Sequence, residues 1–194
     1  MSKSVRVWSA VAATLLGILI GSSSNAQRVN PPSEGGSFPD IMIPAPSSAE
    51  AQKYLGLKAK EKFKVSEIKA ELVIFEVFSM YCPHCQREAP SVNELYRLID
   101  GRPDLKGKIK VVGLGAGNNS FEVELFSKKY DIPFPLIPDV DLALHRALGE
   151  VRTPYFIAVK LGRGGQSKVI YSKVGSPGDP SQFLDLLLQR SKAL

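Results

Sequence analysis

The stretch LVIFEVFSMYCPHC, residues 72–85, decides the fold of this 194-residue chain. Its first seven residues are almost all apolar and rich in β-branched and aromatic side chains, which favours a buried strand of a parallel or mixed sheet. The only two cysteines of the chain, Cys82 and Cys85, follow directly. Pro83 suits the first position of a helix, and a helical pattern continues to about residue 99. We therefore predict a buried strand that leads into a helix whose first turn carries both thiols.

The spacing of Cys82 and Cys85 is that of a redox-active dithiol. Two cysteines separated by two residues can close into a disulfide within one turn of backbone, and the first of them faces the unpaired N–H groups at the helix start. The positive end of the helix dipole favours the thiolate, which is the reactive form. We predict that Cys82 is the nucleophile and that Cys85, one turn further in, resolves the mixed disulfide.

Two ionisable residues are placed to act on these thiols. His84 lies between the cysteines, where a donor or partial positive charge would stabilise the Cys82 thiolate and make the pair more oxidising. The alternative for His84 is an exposed turn residue without an electronic role. Glu76 lies in the apolar strand, where a charge is costly, and a raised pKa would let it take and return the Cys85 proton. The alternative for Glu76 is an acid at the edge of the sheet.

The rest of the chain predicts an α/β fold. Helices are expected at about 49–55, 83–99, 120–129, 141–148 and after residue 179, and strands at 72–78, 109–114, 155–161 and 168–174. The proline-rich stretch 133–138 suits only the edge of a sheet, and the glycines at 162–165 predict a hairpin. Within 120–129 we expect Phe121, Leu125 and Phe126 to share one apolar face. This order predicts a mixed central β-sheet flanked by helices.

The first 46 residues are predicted to precede the globular domain, which we place at 47–194. Residues 1–26 are typical of a cleaved signal peptide, with basic residues, an apolar run and a small-residue cleavage site in order. An uncleaved membrane anchor is the alternative, although the apolar run falls short of the roughly 20 residues a span needs. Residues 27–46 are rich in Pro, Gly and Ser, which predicts an extended or disordered linker. Export to the periplasm would place the dithiol where disulfides persist.

Taken together, these features resemble the thioredoxin fold over residues 57–194. The resemblance rests on the strand, the Cys-x-x-Cys pair at a helix start, Pro90 inside that helix, and Thr153-Pro154 ahead of a hairpin and a final helix. It implies that Glu76 is the buried acid of that family. It also implies that Pro154 is a cis-proline packed beside the dithiol.

The resemblance indicates where a substrate would bind. A cis bond at Thr153-Pro154 would turn the Thr153 carbonyl outward beside Cys82 and offer a backbone edge to a substrate. An ordinary trans turn is the alternative. Tyr81, together with Met80, would line the apolar approach to the sulfurs, although packing alone would also explain both side chains.

Two resemblances favour opposite directions of electron flow, so the sequence leaves the direction open. The string at 76–85 resembles the DsbA-type active site, and that motif suggests an oxidant. Only 68 residues separate Cys85 from Pro154, which is too few for the large helical insertion of DsbA. The body of the domain is instead similar to the redoxin branch that includes TlpA-like and ResA-like exported proteins, which keeps a reductase open.

Other chemistries are disfavoured by the sequence. The net charge of +6 is spread through amphipathic segments and falls to +4 without the two basic residues of 1–26, which argues against nucleic-acid binding. Segment 113–118 has Asn where a dinucleotide fingerprint needs its last Gly. A zinc site that combined both cysteines with His84 and His145 lacks finger spacing. The threonine and arginine partners of a peroxidatic cysteine are absent around Cys82.

The sequence therefore predicts an exported thiol:disulfide oxidoreductase that cycles the Cys82–Cys85 pair between dithiol and disulfide, with Pro83 and His84 completing its motif. No metal or other cofactor is expected. The expected partners are protein thiols and disulfides and a membrane redox protein, and the chain is expected to be a monomer. The alternative from another class is a redox-silent, chaperone-like module that binds peptides along the Thr153 edge.

Overall fold

A computed structural model describes residues 29–58 and 61–193 of the chain. The predicted signal peptide, 1–26, lies outside these residues. Within the described part, none of the helices has the length and apolar character needed to cross a membrane.

The structure is an α/β fold with a mixed central sheet, as predicted. In chain order its elements are β1 (Ile43–Pro44), α1 (Ala49–Leu55), β2 (Lys62–Phe63), a 3-10 turn (Val65–Glu67), β3 (Leu72–Phe78), α2 (Pro83–Asp100), β4 (Ile109–Ala116), α3 (Ser120–Tyr130), β5 (Leu136–Asp139), α4 (Ala143–Ala147), β6 (Tyr155–Leu161), a 3-10 turn (Arg163–Gly165), β7 (Ser167–Val174) and α5 (Pro180–Lys192). The sheet order is β5-β4-β3-β6-β7, and β1 and β2 form a separate two-stranded sheet. The expected fold class, a thioredoxin-like fold, is confirmed.

Strand β3 lies at the centre of the sheet, which explains why all of its residues except Glu76 are apolar. It pairs in parallel with β4, with Leu72 opposite Ile109, and antiparallel with β6, with Val77 opposite Tyr155. All seven of its residues are buried, because both faces of the sheet are covered. Strand β5 is an edge strand, as the prolines of 133–138 predict.

The alternation of side chains along β3 separates two cores. Val73, Phe75 and Val77 face the layer that contains β1, β2, α1 and α4. Leu72 and Ile74 face the layer of α2 and α5. Because side chains alternate along a strand, Glu76 also points into the α2 layer, between Ile74 and Phe78. The predicted acid is therefore on the face that carries the dithiol helix.

The prediction of an apolar face on α3 is wrong for Phe121 and Leu125, two of its three residues. Phe121 is 71% exposed and Leu125 is 44% exposed, whereas Val123 and Phe126 are buried. Asn119 caps the helix through the amide of Glu122, and Phe126 packs on Phe78 of β3 with 4.8 Å between ring centroids. This cap and contact rotate the helix so that the stripe at 121 and 125 faces solvent.

Residues 29–46 differ from the linker we expected, because their described part packs onto the domain. Gly35 and Gly36 exchange backbone hydrogen bonds of 2.8 Å with Val169 on the outer edge of β7. Phe38 is buried and stacks on Phe75 with 5.2 Å between ring centroids, and Ile43 is fully buried in β1. The burial of these two large apolar side chains thus holds the segment on the domain despite its high proline and glycine content. The packed unit begins well before residue 47.

Candidate active site

The two thiols lie at the start of α2 with unequal access to solvent. Cys82 is the N-cap residue of the helix, and its sulfur accepts a hydrogen bond from the Cys85 amide at 3.4 Å. Cys82 is partly exposed, whereas Cys85 is fully buried, and both are free thiols. This placement leaves Cys82 as the sulfur that a partner can reach.

The surroundings of the two sulfurs move their pKa values apart. Partial burial acts to raise the pKa of Cys82, but hydrogen bonds from the Thr153 side chain and from the Cys85 and His84 amides outweigh it and leave the pKa lowered. Burial raises the pKa of Cys85, and the nearby Glu76 carboxylate raises it further. Cys82 is thus the better thiolate, and Cys85 must lose a proton before it can attack.

Glu76 is a buried carboxyl group beside the dithiol. The residue is 3% exposed, and its Oε1 has no hydrogen-bond partner among the described residues. Burial raises the pKa of Glu76 to about 8, and the charges of Glu88 and Cys82 contribute to the same shift. A carboxyl group with this pKa exchanges a proton readily near neutral pH.

Glu88 is a second buried carboxyl group of the site, and our sequence analysis missed it. It lies three residues after Cys85 on α2 and is 8% exposed. Burial raises the pKa of Glu88, while a 3.0 Å hydrogen bond from the Ser176 hydroxyl to its Oε1 acts to lower it. Residues three apart share a helix face, so this spacing was the signal that could have found Glu88.

The loop that precedes β6 lies against the reactive sulfur. The Thr153-Pro154 peptide bond is cis, as the resemblance implies. The Cys82 sulfur is 3.4 Å from the Thr153 carbonyl oxygen. The Pro154 carbonyl accepts a 2.8 Å hydrogen bond from the Gly175 amide, which ties the loop to the end of β7. Thr153 therefore presents its backbone carbonyl beside Cys82.

The segment that leads into Cys82 is held from two sides. The Met80 amide donates to Asn118 Oδ1 at 2.8 Å, and the Met80 carbonyl accepts from Gln86 Nε2 at 2.7 Å. Tyr81 is 66% exposed, and its hydroxyl donates to Glu122 in the first turn of α3. Tyr81 thus lies next to the dithiol, and one end of its side chain is fixed to the neighbouring helix. Asn118 was not singled out from the sequence as an anchor.

His84 is exposed, and its ring is engaged by Arg87. The Arg87 guanidinium lies 2.9 Å from Nδ1 of His84. Because guanidinium only donates, Nδ1 is the acceptor in this bond. The contribution of His84 to the lowered pKa of Cys82 comes from its backbone amide.

His145 and the other metal-binding residue types do not form a metal centre with the thiols. His145 lies on α4, where Nε2 is 2.8 Å from the Val151 carbonyl oxygen. Among residues 29–58 and 61–193, His, Cys, Asp and Glu side chains do not gather in groups of three that could hold a metal ion.

Comparisons with known proteins agree with this geometry. The AhpC/TSA family profile matches residues 37–170. The thiol-disulfide oxidoreductase ResA of Bacillus thuringiensis subsp. konkukian is 27% identical over 95 residues, which are 48% of this chain and 51% of that protein. The ResA of Geobacillus thermodenitrificans is 22% identical over 122 residues, 63% of this chain and 66% of its own. The chain spans about half the length of the first curated relatives that it matches.

Solved structures support the fold. A protein from Chlorobium tepidum described as a DsbE-type thiol:disulfide interchange protein superposes with a TM-score of 0.59 at 17% identity, covering 82% of this chain and 99% of that one. StoA from Bacillus subtilis superposes with a TM-score of 0.51 at 19% identity, covering 65% of this chain and 88% of its own. At these identities the likeness establishes the thioredoxin-like architecture.

Proposed function

Because the chain belongs to the AhpC/TSA family, we propose that it acts as a thiol:disulfide oxidoreductase that exchanges disulfides with protein substrates through Cys82 and Cys85. The observation that carries this proposal is the unequal pair at the start of α2. One sulfur is accessible and has a lowered pKa, and the other is buried and has a raised pKa. The names of the ResA relatives are consistent with this activity.

In the reductive direction the Cys82 thiolate attacks a substrate disulfide. A bond forms between Cys82 and one substrate sulfur, the substrate S–S bond breaks, and the other substrate sulfur leaves as a thiolate. Cys85 then loses its proton and attacks the Cys82 sulfur. This step forms the Cys82–Cys85 disulfide and releases the second substrate thiolate, so the substrate gains two electrons and the dithiol loses two.

Glu76 is the base for the second attack. It lies on the α2 side of the sheet, and its charge raises the pKa of Cys85, which places the two groups within electrostatic reach. The Glu76 carboxylate takes the Cys85 proton as the thiol becomes a nucleophile. It returns a proton to Cys85 when the disulfide is reduced again.

The physiological direction that we propose is reductive. The Arg87 contact occupies Nδ1 of His84, so the stabilisation of the Cys82 thiolate rests on backbone amides and the Thr153 side chain. Without a contribution from the His84 ring, the Cys82 thiolate is stabilised less strongly, and the dithiol pair is therefore less oxidising. We also propose that residues 1–26 export the protein to the periplasm as a monomer and that a membrane protein supplies its electrons.

The reduction of insulin with dithiothreitol as the electron source tests the activity. We expect the reaction to disappear in Cys82→Ser, and we expect Cys85→Ser to accumulate a mixed disulfide with the substrate. Activity that survives Cys82→Ser would overturn the proposal. Reduction of hydrogen peroxide by the reduced chain, at a rate comparable to insulin reduction, would instead indicate a peroxidase.

The reduction potential decides the direction. We expect a value nearer the roughly −270 mV of thioredoxin than the roughly −120 mV of DsbA in a glutathione or dithiothreitol titration. A DsbA-like value would assign the chain to disulfide formation.

A further inference from the structure

The surface around Cys82 has two sides that differ in charge. Cys82 follows β3, which lies between β4 and β6 in the sheet. On the β4 side, Tyr81 and Phe121 of α3 are exposed and present aromatic surface. On the β6 side lies the loop whose Thr153 carbonyl oxygen is 3.4 Å from the Cys82 sulfur, and the residue before Thr153, Arg152, is exposed. A partner that reaches Cys82 therefore meets aromatic rings on one side and a guanidinium on the other.

The backbone around Arg152 is fixed at both ends. Before it, Val151 is 6% exposed, and its carbonyl oxygen lies 2.8 Å from Nε2 of His145. After it, Pro154 is buried, and its carbonyl accepts a 2.8 Å hydrogen bond from the Gly175 amide. The Arg152 side chain thus projects from a backbone that is already ordered, which lowers the entropy cost of binding a partner there.

The N-terminal segment supports the same loop from outside. A Cβ atom placed on Gly149 would lie only 2.5 Å from the Pro31 nitrogen, so the segment packs directly on the backbone that leads to Arg152. The segment is itself anchored, because Gly35 and Gly36 are hydrogen bonded to Val169 of β7. The position of Arg152 is therefore determined by packing on three sides.

The guanidinium of Arg152 has no partner in the described part of the chain. Its side chain forms no hydrogen bond or ion pair with residues 29–58 or 61–193, and this includes the exposed Glu150 two positions earlier. By contrast, Arg102 and Arg190 each pair with a carboxylate at 2.8–2.9 Å. A guanidinium presents a fork of donors that matches a carboxylate. Arg152 is thus free to bind one that a partner supplies.

The exposed charges on the elements that flank Thr153 are mainly positive. These elements are the first two turns of α2, the loop at 149–154 and the end of β7 at 172–175. Their exposed charged residues are Arg87, Arg152 and Lys173, which are basic, and Glu150, which is acidic. The resulting field attracts an anion and orients it toward this side of Cys82.

We propose that Arg152 selects partner polypeptides that carry an acidic residue within about two positions of the cysteine that Cys82 engages. The inference rests on the proposed function and names the substrate class for it. In this mode the partner main chain runs past the Thr153 carbonyl. An extended chain advances about 3.3 Å per residue, so an acidic side chain one or two residues from the cysteine comes within reach of the guanidinium. Arg152 is a specificity-determining residue, and the thiol chemistry stays with Cys82 and Cys85.

The test compares short peptides that differ only in one residue beside a single cysteine, which is Glu, Gln or Lys. That residue precedes the cysteine in one series and follows it in another. The cysteine carries a neutral 2-thiopyridyl group, and release of the coloured thione by the reduced full chain reports the attack of Cys82. Each rate is divided by the rate with dithiothreitol, which removes the intrinsic reactivity of the peptide.

We expect the Glu peptide to react about threefold to fivefold faster than the Lys peptide in at least one series at low salt, since an exposed ion pair contributes up to about fivefold. The preference should shrink in about 1 M salt, where exposed charges are screened. In Arg152→Gln the preference should fall below about twofold, whereas Arg152→Lys keeps the charge and should keep most of it.

Arg163→Gln is the matched control. Arg163 is exposed in the 3-10 turn that joins β6 to β7, at the end of these strands opposite Thr153. Its replacement changes the net charge of the protein by the same amount as Arg152→Gln. We expect the preference for the Glu peptide to equal that of wild type.

Equal normalised rates for the Glu and Lys peptides in both series overturn the inference. A preference that persists in Arg152→Gln, or that falls equally in Arg163→Gln, also overturns it. All three results leave the proposed function standing, because the thione is still released by Cys82. A wild-type chain that releases thione no faster than Cys82→Ser contradicts the proposed function itself.

Discussion

Replacement of Glu76 by Gln should slow the protein and should make it more stable than wild type only at high pH. Burial raises the pKa of Glu76 from its usual 4.5 to about 8, so the folded state binds this proton more tightly than the unfolded state. The stability that the proton provides is complete below pH 4.5 and is lost as the pH rises from 4.5 to 8. A Gln side chain does not ionise and avoids this loss.

The size of the effect follows from the shift. At about 1.4 kcal/mol per pKa unit, wild type gives up about 3 kcal/mol by pH 7 and about 5 kcal/mol above pH 8. The introduced amide also lacks partners in the buried site, which costs roughly 1–3 kcal/mol at every pH. The difference between the two proteins should therefore change by several kcal/mol across this range, whatever the constant offset.

Urea unfolding of the reduced proteins at pH 5, 7 and 8.5 measures this difference. We expect the free energy of unfolding of wild type to fall relative to that of Glu76→Gln as the pH rises. If the free energies of unfolding of the two proteins differ by the same amount at pH 5, 7 and 8.5, the pKa of Glu76 is not raised. That result would also refute the assignment of Glu76 as the base. The cysteines are common to both proteins, so their ionisation largely cancels in the comparison.

Three further results follow from the structure. Glu88→Gln removes the charge that raises the pKa of Glu76, so an NMR titration of the Glu76 carboxyl carbon should show a midpoint below about 8, and an unchanged midpoint would contradict the coupling. Phe38→Ala should lower the free energy of unfolding by about 3–5 kcal/mol, since the ring is buried against Phe75, whereas a loss under about 1 kcal/mol in urea unfolding would restore the linker interpretation. His84→Ala should shift the reduction potential by less than about 30 mV in a glutathione titration, because the ring is bonded to Arg87, and a larger fall would give the ring the electronic role first expected of it.

The sequence predicted the central fold because its strongest signals are local. Strand β3 is apolar except for Glu76, and α2 begins at a proline directly after Cys82, so both elements follow from residues 72–85. The edge position of β5 follows from the prolines of 133–138, which cannot donate to a neighbouring strand. Each of these predictions depended on the chemistry of adjacent residues.

The errors arose where distant packing decides the outcome. Phe38 and Ile43 lie in a proline-rich segment and show no regular period, yet each fills a place in the core beside Phe75 or β2. The orientation of α3 depends on its contact with Phe78 across the sheet. Local composition predicts neither the burial of Phe38 and Ile43 nor the orientation of α3, because the residues they contact lie tens of positions away in the chain.

The same limit explains why Glu88 was missed while Glu76 was found. Glu76 interrupts an apolar strand, so its burial is visible from its neighbours. Glu88 lies in a helix whose sequence is mixed. Its three-residue spacing from Cys85 is the one local signal, and the contact with Ser176 shows that it is enclosed. The burial of an acid on a strand can be predicted from its neighbours in the sequence, whereas the burial of an acid on a helix depends on tertiary contacts.

The pKa values of the two thiols and of Glu76 determine which of these groups hold protons near neutral pH. Cys82 has a lowered pKa, while Cys85 and Glu76 have raised ones, so near neutral pH the accessible sulfur is the more readily charged group and the interior holds the protons. Oxidation to the disulfide removes the Cys85 proton from this interior and leaves Glu76 to carry or discharge it.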